Sequence, residues 1–293
     1  MKQRLKPILA LIIITATLGV FAYYIAKHPD IIDQLKQLSP VTILALLALY
    51  TVAFLAYVMI TRASLRIYHK TMSRQENILF NAYSSLINFF GLGQSGPVFR
   101  GAYLKKRHNL SVKQFMFTLL LYLGTYAVIS AMLMFVGSQP WWQTALLMAA
   151  TAAASFVFVR RYKKRSHIKL EGGLNPLNVG WIFGATVLQV AALAFIYGIE
   201  LQTVGADASI GEILSYTGVS NFSLFVALTP GAIGIREAFL VFSQNLHHIN
   251  SSTIVAANIA DRAVYLLFLG LLFMLVISLH AKDKLHVNQL KND

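Results

Sequence analysis

The chain has 293 residues, of which 57% are apolar and 12% charged, with a mean hydropathy of +0.61. Soluble domains carry about a quarter charged residues, so this composition excludes an ordinary soluble enzyme or binding module. It describes an integral membrane protein with no stretch left over for a separate soluble domain. The formal charge of +14 comes from 25 Lys and Arg against 11 Asp and Glu. Most of it reads as the loop bias that orients membrane proteins, and no nucleic-acid partner is expected. The absence of Cys removes disulfides, haem attachment and thiolate metal sites.

Six segments are long enough to span as helices of ~20 residues: roughly 6–26, 40–60, 112–136, 141–159, 176–199 and 252–280. The first resembles a signal peptide, but its apolar run is too long and lacks a clean cleavage site. It reads as an uncleaved spanning helix. Two further segments are short and dotted with polar residues. Residues 77–92 run into "GLGQSGPVFR", and residues 212–228 run into "TPGAIGIRE".

If both short segments spanned, the cluster Arg62, Arg66, Lys70 and Arg74 would face the side opposite to Arg100, Lys105, Lys106 and Arg107. If each dips in and returns, every basic cluster faces the cytoplasm and the loops poor in Lys and Arg face out. The positive-inside rule therefore selects re-entrant hairpins at 77–100 and 212–237, with irregular backbone at membrane depth covered by protein or a wet cavity.

The halves 1–137 and 138–293 then follow one plan: helix, helix, hairpin, helix. Asn88 precedes Pro97 by nine residues and Asn221 precedes Pro230 by nine, an offset of 221 − 88 = 133. The first copy starts inside and the second outside. The expected fold is thus an all-α membrane protein with six spanning helices and two re-entrant helical hairpins in an inverted-topology repeat, an architecture characteristic of transporters.

Gly93-Gln94-Ser95-Gly96 spells the G-x-S-G of an intramembrane serine protease. Such a serine needs a base within hydrogen-bond reach, yet all eight histidines fall in loops, tails or helix ends, so Ser95 is not read as a nucleophile. No H-x-x-x-H or H-E-x-x-H metal motif and no nucleotide-binding P-loop is present, so neither metal nor cofactor is expected.

In the second hairpin, Pro230, Gly231 and Gly234 break the helix, and a new helix is expected near Ile235 with free N–H groups that attract anions. Arg236 adds a charge suited to phosphate, and Glu237 is placed to neutralise it or carry a proton. The first hairpin offers Gly96, Pro97 and Arg100; for both arginines the alternative is a side chain snorkelling to headgroups. Asp261-Arg262 lies about ten residues into the last helix, where a charge costs at least ~2.5 kcal/mol. It forms either a structural salt bridge with Arg236 or Glu237, or part of a polar path. Asn88, Gln94, Asn221 and Ser223 would line the same path, or make interhelical hydrogen bonds.

At "LTPGAIGIREAF", followed by a helix bearing "ADRAVYL", the sequence resembles the lysylphosphatidylglycerol synthase transmembrane region family, the flippase-like integral membrane family also called UPF0104. Its Pro-Gly-Gly-x-Gly-x-x-Glu pattern is matched by Pro230, Gly231, Gly234 and Glu237, with Arg236 and the later Arg262. Ala232 departs at the second glycine. Bifunctional members carry a cytosolic aminoacyl-transfer domain that is not present in this sequence. The resemblance therefore implies lipid translocation in a bacterial inner membrane, with both termini cytoplasmic, rather than lipid synthesis. The expected substrate is an anionic phospholipid or lipid-linked sugar bound at Arg100, Arg236, Glu237, Asp261 and Arg262, and no enzymatic activity is expected. The alternative is a non-catalytic accessory subunit for a membrane glycosyltransferase or lipid synthase.

Overall fold

The computed structural model describes residues 38–91, 95–136, 175–225, 232 and 234–289, with scattered positions between 19 and 26 and between 142 and 161, and side chains as far as Leu279. The expected spans at 6–26 and 141–159 lie largely outside these residues. Among the described residues there are only helices: α1 (Pro40–Arg66), α2 (Arg74–Phe90), α3 (Ser95–His108), α4 (Val112–Phe135), α5 (Pro176–Thr203), α6 (Ile210–Ser223), α7 (Ile235–Phe242), α8 (Gln244–His247) and α9 (Ser251–Gln289).

Four of them, α1, α4, α5 and the stretch Ser251–Leu279 of α9, are long and apolar enough to cross a membrane. The 27 residues of α1 extend about 40 Å at 1.5 Å per residue, more than a hydrocarbon core of ~30 Å. Helices α1 and α5 run past the expected ends at 60 and 199, to Arg66 and Thr203. The added turn of α1 holds Arg62 and Arg66, whose stems lie along the apolar helix while the charge reaches the interface.

Local chemistry fixes most starting points. Ser39 accepts from Thr42 N ahead of Pro40, and Asn175 does the same for Leu177 ahead of Pro176. Ser111 with Gln114 and Ser209 with Glu212 form reciprocal capping boxes, satisfying helix N–H groups that would otherwise lack partners.

Helices α1 and α5 share the most extensive contact and run antiparallel. Leu46 and Tyr50 of α1 cluster with Ile196, Tyr197 and Leu201 of α5; at the other end Ile60 and Ala63 cluster with Ile182 and Ala185. The outer faces of these helices leave Leu44, Phe183 and Phe195 more than half exposed, an apolar surface suited to lipid rather than water.

Helices α2 and α3 pack against each other and their outer ends meet. Tyr103 Oη donates to Glu76 Oε1 at 2.8 Å, and His108 Nε2 lies 2.9 Å from the same oxygen. This is a helical hairpin that returns to the end it left. With 17 and 14 residues, its arms reach roughly 25 and 21 Å, short of a full span. The second hairpin is built from α6 against α7 and α8, its outer end closed by His247, whose ring centre lies 5.4 Å from that of Tyr216. His247 is buried between Leu240 O, 3.0 Å from Nε2, and the Ile249 N–H, which donates to Nδ1 at 3.2 Å.

Each hairpin packs on the long helix that follows the other one. α6 lies along α4, and α2 along α9. The first crossing is tight at Gly218, where a Cβ would fall 2.3 Å from Met134 N. At the tips, Phe225 meets Tyr126 of α4 with ring centres 6.1 Å apart, and Phe89 meets Tyr265 of α9 at 5.5 Å.

Candidate functional site

Two buried arginines dominate the interior, one on the returning arm of each hairpin. Arg100 of α3 is 5% exposed. Its Nη2 donates to Thr61 Oγ1 at 2.6 Å, and Thr61 in turn donates to Asn81 Oδ1 at 2.9 Å. Asn81 Nδ2 bonds to Asn77, which donates to Val58 O at 3.0 Å, so a polar chain ties α3 through α1 to α2. The guanidinium lies 4.2 Å above the Tyr57 ring and 5.3 Å from that of Phe80. Among the described residues no carboxylate pairs with it, and its Nε and Nη1 have no hydrogen-bond partner.

Isolated buried charges cost several kcal/mol; cation–π contacts return about 2 kcal/mol or more when desolvated, but they give Nε and Nη1 no acceptor. The fold therefore keeps a cation that its own residues do not satisfy. Beside it lies a cavity of about 20 Å³ lined by Thr61, Ser64, Thr118 and Tyr122, roughly the room one water needs and far too small for a phosphodiester.

Arg236 of α7 also leaves two nitrogens, Nε and Nη2, without a hydrogen-bond partner among the described residues, but it has a carboxylate. Its Nη1 bonds to Asp261 Oδ2, whose other oxygen accepts from Tyr50 Oη. The guanidinium stands 4.9 Å from the Tyr197 ring centre. One residue along each helix, Glu237 pairs with Arg262 and also accepts from Gly234 N at 2.8 Å. The Arg-Glu and Asp-Arg dipeptides thus form two parallel ion pairs between α7 and α9, and Glu237 does not neutralise its neighbour Arg236.

A further acid completes this cluster. Glu200 of α5 is 2% exposed, and its carboxyl lies against that of Asp261. Glu200 stands just past the expected end of this helix at 199 and is not among the site residues expected from the sequence. The extra turn to Thr203 brings it into the core. No rule of local sequence separates a helix-end acid at the interface from one covered by neighbouring helices.

The two arginine sites correspond position by position at a single offset, 236 − 100 = 136. Thr61 and Tyr197, which touch the guanidiniums, differ by 136, as do Phe80 and Tyr216, Ser64 and Glu200, and the outer-end residues Glu76 and Glu212. This register differs by three from the offset of 133 read from the Asn and Pro spacings. The contrast between the sites is charge. At the positions where the second half holds Glu200 and Asp261, the first half has Ser64 and Thr125.

The remaining predicted residues play local parts. Asn88 Oδ1 accepts from Gly96 N at 3.3 Å, and Ser95 Oγ donates to Ile87 O at 2.8 Å. Asn88 thereby caps the start of α3, with Pro97 in the first turn, and Ser95 has no histidine among its contacts. The Gly96 N–H at the start of α3 is thus capped from within its own hairpin. Asn221 is fully buried, with Nδ2 and Oδ1 unpartnered among the described residues, while Ser223 donates to Ser220 O at 2.6 Å. α7 starts at Ile235 after Gly234, whose φ is +80°. Ala232 has φ +57°, a left-handed conformation that favours glycine, which accounts for glycine in the family pattern at that position. Gln94, Pro230 and Gly231 lie outside the described residues. Among the described residues no group of His, Asp and Glu is placed to hold a metal ion.

Four long apolar helices, lipid-suited outer faces and largely buried Arg–carboxylate pairs define a multi-pass α-helical membrane protein. The sequence matches the family described as Lysylphosphatidylglycerol synthase TM region over residues 8–272. The chain belongs to this family of membrane proteins associated with lipid synthesis. No curated protein and no solved structure matches it.

Proposed function

We propose that the chain is a bacterial inner-membrane lipid transporter that translocates an anionic phospholipid or a polyprenyl-phosphate-linked headgroup, and that it acts without chemistry of its own. The observation that carries this reading is Arg100, a buried guanidinium with two unpartnered nitrogens and no counter-ion among the described residues. A phosphate would supply the missing charge through charge-assisted hydrogen bonds.

The arginines are two stations on one path. Arg100 is eight residues from His108, about 12 Å along α3 from its outer end. That end also carries Arg62, Arg66, Lys70, Arg74, Lys105, Lys106 and Arg107 and faces the cytoplasm by the positive-inside rule. Asp261 and Tyr50 are each ten residues from the opposite ends of their helices, about 15 Å in. Tyr57, Tyr122 and Tyr126 form a ring ladder with centres 5.7 and 5.9 Å apart, leading from Arg100 toward the Arg236 cluster. The shared register of the two sites supports an inverted repeat, with hairpins that re-enter from opposite faces. In this structure the Arg100 site is closed, so transport requires the hairpins to move against α1 and α4.

The test is headgroup translocation in proteoliposomes, using phosphatidylglycerol with a fluorescent headgroup and a membrane-impermeant quencher. Wild-type protein is expected to expose inner-leaflet lipid to the quencher, and Arg100→Ala and Arg236→Ala each to lower the rate at least tenfold. Wild-type rates in both variants would refute the site. If the isolated protein moves none of the candidate lipids but restores a membrane synthase in a co-purified complex, the accessory role is correct instead.

A further inference from the structure

We infer that the Arg236 cluster is a proton-linked anion site, in which a phosphate takes the guanidinium from Asp261 and the displaced carboxylate takes up one proton. This rests on the transport reading above and specifies its second station.

The argument is one of charge count. The cluster holds one guanidinium and two carboxyls, from Arg236, Asp261 and Glu200, all less than 10% exposed. Two carboxyls in contact in a buried site do not both ionise, so the pair holds one proton while Asp261 is bonded to Arg236. The groups facing it come from every surrounding helix: Tyr50 of α1, Tyr126 of α4, Tyr197 of α5, Tyr216 of α6 and Tyr265 of α9. Phenols ordinarily titrate near pH 10, so they act as neutral donors. The adjacent Glu237 and Arg262 cancel each other. Among the described residues of the cluster, no cation other than the paired Arg262 is present to accept an added anion.

A phosphodiester arriving at Arg236 brings one negative charge and releases Asp261. Arg236 and the phosphate then balance, and a bare Asp261 carboxylate against Glu200 would remain. Neutrality is restored when one proton binds Asp261, giving a pair with two protons. Glu200 provides the route. It is three residues from Thr203 at the end of α5, so it lies between Asp261 and the membrane face and can pass its own proton inward and be reprotonated from outside. Its Oε1 is buried with no hydrogen-bond partner among the described residues, an open acceptor for a proton donor that reaches it. Proton and anion are then bound together, and a proton gradient can drive the lipid.

The experiment measures binding of a short-chain phosphatidylglycerol to purified protein in zwitterionic nanodiscs between pH 6.5 and 8.5. Its phosphodiester keeps one charge throughout, so pH dependence belongs to the protein. Affinity should rise up to about tenfold per unit fall in pH, with about one proton taken up per lipid in weakly buffered solution. In the double variant Glu200→Gln, Asp261→Asn the affinity should be independent of pH, with no proton taken up. If that variant does not fold, the wild-type proton count decides alone. Binding with unchanged affinity across the range and no proton uptake would overturn the proton link and leave the transport reading intact. Absence of binding at every pH would overturn both.

Discussion

Arg100 and Arg236 occupy matching positions, yet their removal should have opposite consequences for stability. Arg236 is half of a buried pair, and breaking such a pair by deleting one partner costs about 3–5 kcal/mol because the other charge is left bare. Arg236→Met strands Asp261 between Tyr50 and Glu200. Among the described residues Arg100 has no carboxylate to strand, and Met fills much of the same volume against Tyr57 and Phe80, losing the bond to Thr61 and the cation–π contacts but also the cost of a buried charge. Arg100→Met is therefore expected to leave the thermal midpoint unchanged or raised while abolishing translocation, whereas Arg236→Met lowers the midpoint by several degrees. Thermal unfolding in one detergent, run beside the liposome assay, reads both. Equal destabilisation in the two variants would show that Arg100 is a structural residue.

At the scale of elements, the hairpins depend on how their outer ends are closed. Burial pushes the Glu76 carboxyl up, but hydrogen bonds from Tyr103 and His108 outweigh it and hold the group below its ordinary value. Tyr103, raised by burial and by Glu76 to about 12, stays a donor at every physiological pH. A depressed carboxylate contributes stability that is complete above its unfolded value, near 4.5, and is lost as pH falls through the folded value. Amide-exchange protection over residues 100–110, relative to α1, should therefore hold at pH 5–7 and drop below about pH 4.5. In Glu76→Gln it should be low and flat over the same range. An equal drop in the variant would assign the acid sensitivity to another group. At the second outer end, burial holds His247 below its ordinary value. Its neutral ring meets both backbone partners, and that closure is complete above pH 6.5 and lost as pH falls through the lowered value.

These elements also show how far the sequence could be read. The short polar-dotted segments, a break within a turn of Pro97 and another before Ile235, and the arginines behind them were legible because Pro, Gly and buried charge act locally; the first break falls before Ser95, with Gly96 and Pro97 already inside α3. The partner of each charge was not. Arg236 pairs with Asp261, 25 residues away, rather than with the adjacent Glu237, because neighbours on a helix point about 100° apart while an arm and a crossing helix face each other. Glu200 escaped for a related reason, since its burial is created by α6 and α9, not by its own segment. The register of 136 emerged from guanidinium surroundings, whereas the Asn and Pro spacing gave 133, as Asn88 caps its own hairpin rather than matching Asn221 in role.

For the whole molecule, the decisive question is whether the hairpins return or cross. The contacts of Glu76 with Tyr103 and His108 place the start of α2 and the end of α3 at one face, which also receives the end of α1 through the short connection 67–73. The loop around Asp207 lies at the opposite end of α5 from Pro176, and α5 is antiparallel to α1. Because the chain has no Cys, single cysteines report these positions without background. Arg66→Cys and Lys106→Cys should react with an impermeant maleimide only from the cytoplasmic side of oriented membranes, and Asp207→Cys only from the other. An eight-crossing chain puts residues 66 and 106 on opposite faces, so labelling of Lys106→Cys from outside would overturn the re-entrant arrangement. It would also place Arg100 and Arg236 on the path in the wrong order, with the unpaired cation facing the periplasm and the proton-linked cluster facing the cytoplasm.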